Sequence, residues 1–575
     1  MRKLRLVSVL LLLAGILGVP CAGASSFFKK KPVPTLVEGK LEGYTPERYG
    51  RTGLIYLENV ATDEDIPRVV AIEEDGRFHV TLPLQYPLQS HIIFGGRKYI
   101  PFYVEPGHKL SVTVNAEKVS GWETAGLVTY TGPDAEVARQ LNDYPIPVIG
   151  RFADVSYGTK NLKPLEFRDW LLSKMHKELA RIDSLERAVP LVPLAADLMR
   201  MDIRISVGTG LFDYIRNNPK SRNYLWHEAH IPVAYYDFLK EMPLDDPRVF
   251  SLSGFTHFVN IFENSVFRYP VAGSRHYAFD IPEAVRAIRE GGDTIEGEKA
   301  LLLAALEKMP DVMNAFSYAY TTDNWIRQLF PKGTVNLRHR CDDIVKEGTK
   351  EAVDWDIRMI NQLDSILKVR YGVDNTLFTQ LCRAHSFRQM NEFKEPEVRS
   401  YALKRIFELV PTPILRAAIV ERADAQLARE KNQARPLPKD AVGTQIMREI
   451  LRPHQGKYVM VDFWGLFCGP CRWGIEKSTP LRKELVNNPD FTFVYITSDD
   501  DSPSEKDYNE YVEKHMLGYA SHRLPQDRYN YLRELFRFSG IPHYVIFDRK
   551  GNMLDGDYHF YTEGLQRDLE KWIGK

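Results

Sequence analysis

At 575 residues the chain is too long for one hydrophobic core, and a working size of about 150 residues per domain divides it into three or four units. Its composition is ordinary for a globular protein, with 44% hydrophobic and 26% charged residues. The 76 basic side chains balance the 76 acidic ones, so no basic field argues for nucleic acid and bulk charge selects no partner.

Arg2, Lys3 and Arg5 precede an apolar run from Leu6 to Val19 and the small-residue sequence Ala22-Gly23-Ala24. This is the pattern of a secretory signal with an A-x-A cleavage site, and the run is too short for a comfortable membrane span. Residues 1–24 are therefore expected to be removed, leaving a soluble periplasmic product. Cleavage takes away three basic residues and no acid, moving the formal charge from 0 to 0 − 3 = −3. An uncleaved anchor and a lipoprotein modified on Cys21 are the alternatives, and Pro20 suits the lipoprotein poorly. Without Cys21, four cysteines remain: Cys341, Cys382, Cys468 and Cys471. That is an even number in an oxidising compartment. Cys341 and Cys382 form either a structural disulfide or two thiols in a helical core; nothing in the sequence brings them together, which favours thiols.

Residues 35–131 read as an all-β sandwich. Short alternating runs (36–41, 54–57, 77–82, 91–94 and 109–114) are punctuated by Gly, Pro and Asp, and Asp75-Gly76 supplies a hairpin turn. Over 132–435 the period becomes helical, as in Leu165, Trp170, Leu171, Met175, Leu179, Ile182 and Leu185, and in Ile357, Ile360, Leu363 and Leu367. Further helices are expected around 192–216, 231–241, 281–308 and 397–430. The many aromatics here, among them Tyr235, Tyr236, Phe238, Phe258, Tyr318 and Tyr320, read first as core packing and second as a groove for a partner polypeptide. His227 and His230 have a spacing that a metal site can use, but no third ligand is near and Pro232 follows, so no metal is expected. A polar, proline-bearing stretch from Asn432 to Pro438 is a linker, and 444–451 a lead-in helix.

The stretch that carries chemistry runs from Val459 to Cys471. Val459–Trp464 is apolar except for Asp462, which is how a strand covered on both faces looks. A carboxylate there is costly, so Asp462 is either paired or holds a proton near neutrality. If a helix follows Cys468, that thiol sits at a helix N-terminus, where unpaired N–H groups lower a thiol pKa from about 8.5 toward 7 and make it a nucleophile. Cys471 is then the resolving thiol, and Asp462 is placed to take its proton. Half of a zinc site is the competing reading of the cysteine pair. It would need a second pair at suitable spacing, which the chain lacks.

With its strand, its Asp, its Phe-Trp and its Cys-Gly-Pro-Cys, this run resembles the active site of thioredoxin. Ser539-Gly540-Ile541-Pro542-His543 resembles the family's proline loop, which implies that Pro542 is the cis proline beside the disulfide and that Ile541-Pro542 holds a substrate chain by backbone hydrogen bonds. Trp464, Phe467, Gly469 and Pro470 complete the implied substrate-contacting set, with Trp464 packed below the pair. More than forty residues between Thr497 and Gly540, with helices expected at 504–516 and 526–537, exceed a minimal thioredoxin crossover and resemble the TlpA/ResA-like branch of envelope proteins. The 102–110 segment is similar to N-terminal β-domains that precede thioredoxin domains in Bacteroidetes-type envelopes. The sequence departs from these patterns at three places. Phe467 replaces a second Trp, Gly474 stands where many relatives carry a buried glutamate, and His543 stands where Thr is common and reads as an exposed strand-edge residue.

The fold class that follows is multidomain: a 1–24 signal, a 35–131 β-sandwich, a 132–435 helical region, and an α/β thioredoxin fold with an insertion over 437–575. The expected function is a periplasmic thiol-disulfide oxidoreductase with Cys468, Cys471 and Asp462 as its catalytic residues and no cofactor beyond its own disulfide. Its implied partners are protein thiols or disulfides and a membrane electron donor or acceptor. Gly-Pro between the cysteines matches thioredoxin and points to a reductant. The alternatives are a binding or scaffold protein with a secondary redox site, and a thiol-dependent peroxidase, although the Pro-x-x-x-Thr-x-x-Cys motif of peroxiredoxins is missing.

Overall fold

The structure, a computed structural model, describes residues 27–95, 97–147, 149–217, 230–265, 269, 278–307, 312–313, 329–332, 338–339, 346, 348–387, 393, 395–430 and 434–573. The expected signal over 1–24 with Cys21, as well as Cys341, His227, Tyr318, Tyr320 and part of the linker, lie outside the described residues. So does the question of a Cys341–Cys382 bridge; Cys382 itself is buried in a helix.

Eight strands form two four-stranded sheets: β1 (Val33–Glu42), β2 (Thr52–Asn59), β3 (Glu64–Ala71), β4 (Arg77–Leu84), β5 (Leu88–Phe94), β6 (Lys98–Val104), β7 (Lys109–Asn115) and β8 (Val128–Thr131). One sheet has the order β4-β1-β7-β8 and the other β3-β2-β5-β6. Strict alternation in β4, with Phe78, Val80, Leu82 and Leu84 buried, places one face inward. The first sheet is mixed, because β1 runs parallel to β7 and antiparallel to β4. The Asp75-Gly76 turn forms, with Gly76 at φ 83°, but it carries the chain from one sheet to the other across a single Ile72–Phe78 bridge.

The middle of the chain is helical: α1 (Ala135–Asp143), α2 (Phe152–Asn161), α3 (Pro164–Ala188), α4 (Pro193–Arg216), α5 (Phe255–Glu263), α6 (Ile281–Glu290), α7 (Glu298–Leu306), α8 (Lys350–Tyr371), α9 (Leu377–Ser386), α10 (Pro396–Leu409) and α11 (Pro413–Glu430). The expected helix near 231–241 is a 3₁₀ helix, Val233–Glu241. The 281–308 and 397–430 runs are each two helices, the second broken where Pro413 opens α11. Tyr235, Tyr236, Phe238 and Phe258 are buried, as core packing requires. One apolar cluster runs without a break from the two sheets, through Val37 and Ile92, into the helices at Phe167, Leu211 and Ile406.

The C-terminal part has its own packing. A lead-in helix, α12 (Val442–Leu451), precedes β9 (Tyr458–Phe463), α13 (Gly469–Lys477), α14 (Thr479–Leu485), β10 (Phe491–Ser498), α15 (Glu505–His515), β11 (Ala520–Leu524), α16 (Gln526–Phe536), β12 (His543–Phe547), β13 (Met553–Asp555) and α17 (Thr562–Ile573). Two helices, separated at Ser478, follow Cys468. The sheet order is β11-β10-β9-β12-β13, with β9, β10 and β11 parallel and β12 antiparallel to β9. β9 is central, and its period of two divides the packing. Val459, Val461 and Phe463 meet α12 and α16, whereas Met460 and Trp464 meet α13 and α15.

The inserted helix α16 docks this part onto the first one. Asp527 accepts hydrogen bonds from the Arg51 and Thr52 amides and the Thr52 hydroxyl at 2.9–3.0 Å. Asn530 donates to the same hydroxyl, Arg533 to Tyr56 and Arg537 to Glu64, while Glu534 accepts from the Val69 amide. Gly50, at φ 70°, makes the approach possible: a Cβ there would lie 2.9 Å from the Asp527 carboxylate.

Candidate functional site

Cys468 caps α13, and Pro470 in its first turn presets the helical backbone. The Cys468 sulfur accepts a 3.1 Å hydrogen bond from the Cys471 amide, so the helix terminus points a donor at the atom that bears charge when the pair is reduced. The two cysteines form a disulfide with Cα atoms 5.2 Å apart. Cys468 is partly exposed, whereas Cys471 is 1% exposed. The Ile541–Pro542 peptide is cis, and the Ile541 carbonyl oxygen lies 3.7 Å from the Cys468 sulfur. The β9–α13 turn and the proline loop, more than seventy residues apart, thus meet at one sulfur.

Beneath the pair, Asp462 is 5% exposed and its Oδ1 makes no hydrogen bond. Burial pushes its carboxyl up to about 8, with Arg482 pulling the other way. Its register partners are Tyr495 on β10 and Tyr544 on β12, so three polar side chains share the face toward α13. Arg482, buried in α14, donates to the Tyr495 hydroxyl, the His515 and Ile475 carbonyls, Ser478 and Thr479. Burial and Asp462 both hold the Tyr544 phenol well above its usual range. The Tyr544 hydroxyl faces Gly474, where a Cβ would lie 3.5 Å from it.

Of the expected substrate-contacting residues around the disulfide, Trp464 takes a different place from the others. Gly469 and Pro470 are exposed beside Cys468, and Phe467 is 77% exposed. Trp464, grouped with the substrate-contacting residues, is fully buried and stacks on Tyr508 and Tyr511, so it supports the site from below and cannot touch a substrate. His543 is not an exposed edge residue. Phe538 stacks on it at 4.5 Å, Asp557 lies 3.7 Å from its Nδ1, and burial lowers its pKa. The sequence reading missed Trp473, 64% exposed on α13 one turn from the disulfide, and also Arg482, Tyr495 and Tyr544. The available signal was an Arg between the apolar positions Leu481 and Leu485.

Among the described residues, Glu105, His108 and Asp134 bring possible metal ligands within 4.8 Å of one another. These atoms already serve each other: Asp134 accepts from the Glu105 amide and meets His108 Nδ1 at 2.9 Å.

The family description "Thioredoxin-like" matches residues 456–553. The C-terminal part is a thioredoxin-like domain. The superfamily resemblance read from the Cys-Gly-Pro-Cys run therefore holds for this domain. Thioredoxin-like 2, chloroplastic, of Oryza sativa subsp. japonica is 32% identical over 93 residues, which are 16% of this chain and 41% of the rice protein. Among solved structures, the thioredoxin domain of a thiol-disulfide oxidoreductase from Bacteroides vulgatus is 24% identical, with 21% of this chain and 84% of that one covered at a TM-score of 0.19. A thioredoxin-family thiol:disulfide interchange protein from Chlorobium tepidum is 20% identical, with 25% and 98% covered and a TM-score of 0.19. The thioredoxin-like domain carries every residue of the redox site described above. Among the described residues no helix is long and apolar enough to cross a membrane.

Proposed function

We propose that the protein is a thiol-disulfide oxidoreductase of the cell envelope, of the TlpA/ResA-like kind, that reduces or exchanges disulfides in other proteins. One observation carries this reading: an accessible Cys468 sulfur on a helix N-terminus is bonded to a buried Cys471 above a carboxyl that is half protonated near pH 8. In the reducing direction the Cys468 thiolate attacks a substrate disulfide, forming one S–S bond and releasing one substrate thiolate. Cys471 gives its proton to Asp462 and attacks the Cys468 sulfur, breaking the mixed disulfide and releasing the second substrate sulfur as a thiolate, which takes a proton from water. Two electrons pass to the substrate, and a membrane thiol donor restores the dithiol. Phe467, Gly469, Pro470 and Trp473 form the rim that a substrate chain meets, and Ile541-Pro542 offers it backbone hydrogen bonds. The export signal over 1–24 and the division at 35–131, 132–435 and 437–575 belong to the same proposal.

The test is a redox titration of the full mature chain against glutathione and dithiothreitol buffers, with trapping of free thiols. A potential near −270 mV marks a reductant, whereas one near −120 mV marks a disulfide donor. Cys471→Ser should accumulate a mixed disulfide with a substrate protein, and Cys468→Ser should abolish exchange. Absence of a two-electron transition in the folded protein would refute the reading in favour of a scaffold.

A further inference from the structure

Far from the disulfide, a cavity of about 900 Å³ opens between the outer face of the second sheet and helices α1 and α4. Its size and its position where two layers meet are those of a small-molecule site. One wall is aromatic. Trp122 is 61% exposed and lies flat on Tyr99, with ring centroids 3.8 Å apart and planes 2° from parallel, while His91 meets its edge at 4.8 Å. The turn that presents Trp122 is fixed on both sides. The Tyr99 amide donates to the Gly121 carbonyl, and the Thr124 hydroxyl bonds Asn142 of α1. The ring therefore needs no ordering before a ligand stacks on its open face.

The other walls are acidic. Glu58 projects from β2 with its Oε2 sealed from solvent and its carboxyl beside the Thr256 hydroxyl, and the Gln89 amide oxygen on β5 is sealed without a hydrogen bond. Asp202 on α4 lines the cavity, and the charge of Arg151, on the exposed rim, acts on it. Burial raises both carboxyls, Glu58 to about 8 with help from Asp65, and Asp202 to about 6. Burial lowers His91 to about 4, so it stays neutral and presents no opposing charge. The Asp202 carboxylate attracts an incoming cation, and the aromatic face adds cation–π attraction.

We propose that this cavity binds a small organic cation, its charge set against Asp202 and its apolar substituents resting on the open face of Trp122. The site is independent of the disulfide, so occupancy does not require the dithiol.

The experiment titrates the full chain calorimetrically with choline, agmatine and putrescine, which present quaternary, guanidinium and primary ammonium heads. The uncharged choline isostere 3,3-dimethylbutan-1-ol is the control. At least one cation should saturate a single site, and Asp202→Asn and Trp122→Leu should each weaken it by about tenfold or more. The proposal is overturned if no cation saturates below about 10 mM. It is equally overturned if the isostere matches choline, or if binding is unchanged in both variants. Trp122 sits in an exposed turn, so Trp122→Leu keeps the test open should Asp202→Asn fail to fold. Cys468→Ser should bind the same cation with unchanged affinity.

Discussion

Replacing Asp462 by Asn removes an ionisable group from the centre of the sheet while keeping its shape. In the unfolded chain the carboxyl titrates near 3.8, and in the folded domain near 8. A folded pKa raised in this way gives stability that is fully present below pH 3.8 and is lost as pH rises toward 8, because the folded domain must either hold the proton or bury the charge. By pH 7 the loss spans roughly 3 pH units at about 1.4 kcal/mol each, or about 4 kcal/mol, and it levels off near 6 kcal/mol above pH 8. Asn carries no such dependence. The variant should therefore match the parent near pH 4 and exceed it by an amount that grows with pH. Hydrogen exchange of the β9 amides, corrected for the intrinsic rate at each pH, reads the local opening free energy even when the chain unfolds in stages. A difference that stays flat between pH 4 and pH 8 would refute the burial argument. The same variant should lose the inflection near pH 8 in the rate of disulfide exchange if Asp462 is the base for Cys471.

Arg482→Met leaves the His515 carbonyl without its side-chain donor inside the domain and empties the buried site of a charge that also bonds Tyr495 and Ile475, and should cost about 3–5 kcal/mol in urea denaturation followed at the tryptophans. It should also raise the inflection assigned to Asp462, since Arg482 is what pulls it down. Gly474→Ala places a methyl in ordinary contact with the Tyr544 hydroxyl and removes helix entropy, so a gain of up to about 1 kcal/mol with exchange activity retained is expected in the same assay. A large loss would show that the Tyr544 hydroxyl has no room to give. Asp527→Ala removes the acceptor shared by Arg51 and Thr52 and should weaken the docking of α16 by about 1–2 kcal/mol, seen as faster exchange of those two amides with β9 unchanged.

The disulfide helix, the central strand and the proline loop were legible because each is written locally: apolar residues in a row, a proline, a glycine, two thiols three apart. β3, β8 and β11 were not. β11, Ala520-Ser521-His522-Arg523-Leu524, has no apolar run, β8 is only four residues long, and β3 is opened by charges and crossed by Pro67; they form because a neighbouring strand supplies partners. His543 was misplaced for the same reason, since Phe538 and the Gly556-Asp557 turn after β13 cover it and neither is visible in its own neighbourhood. The tyrosines around Asp462 needed the register of β10 and β12 against β9. The cavity beneath Trp122 needed the packing of α1 and α4 on the second sheet, which joins residues from 58 to 253.

The bonds from α16 to β2 and β3 join residues 465 to 478 positions apart. A ribosome adding about 5–20 residues per second takes roughly 20 to 90 s to cross that interval. Throughout it the sheet edge at β3 is complete but has not yet met its cover. Glu64, Asp65, Pro67 and Arg68 lie along this edge, and charges and a proline are what discourage one nascent chain from pairing with another. The strand that ends up beneath a domain made so much later is thus written to wait for it.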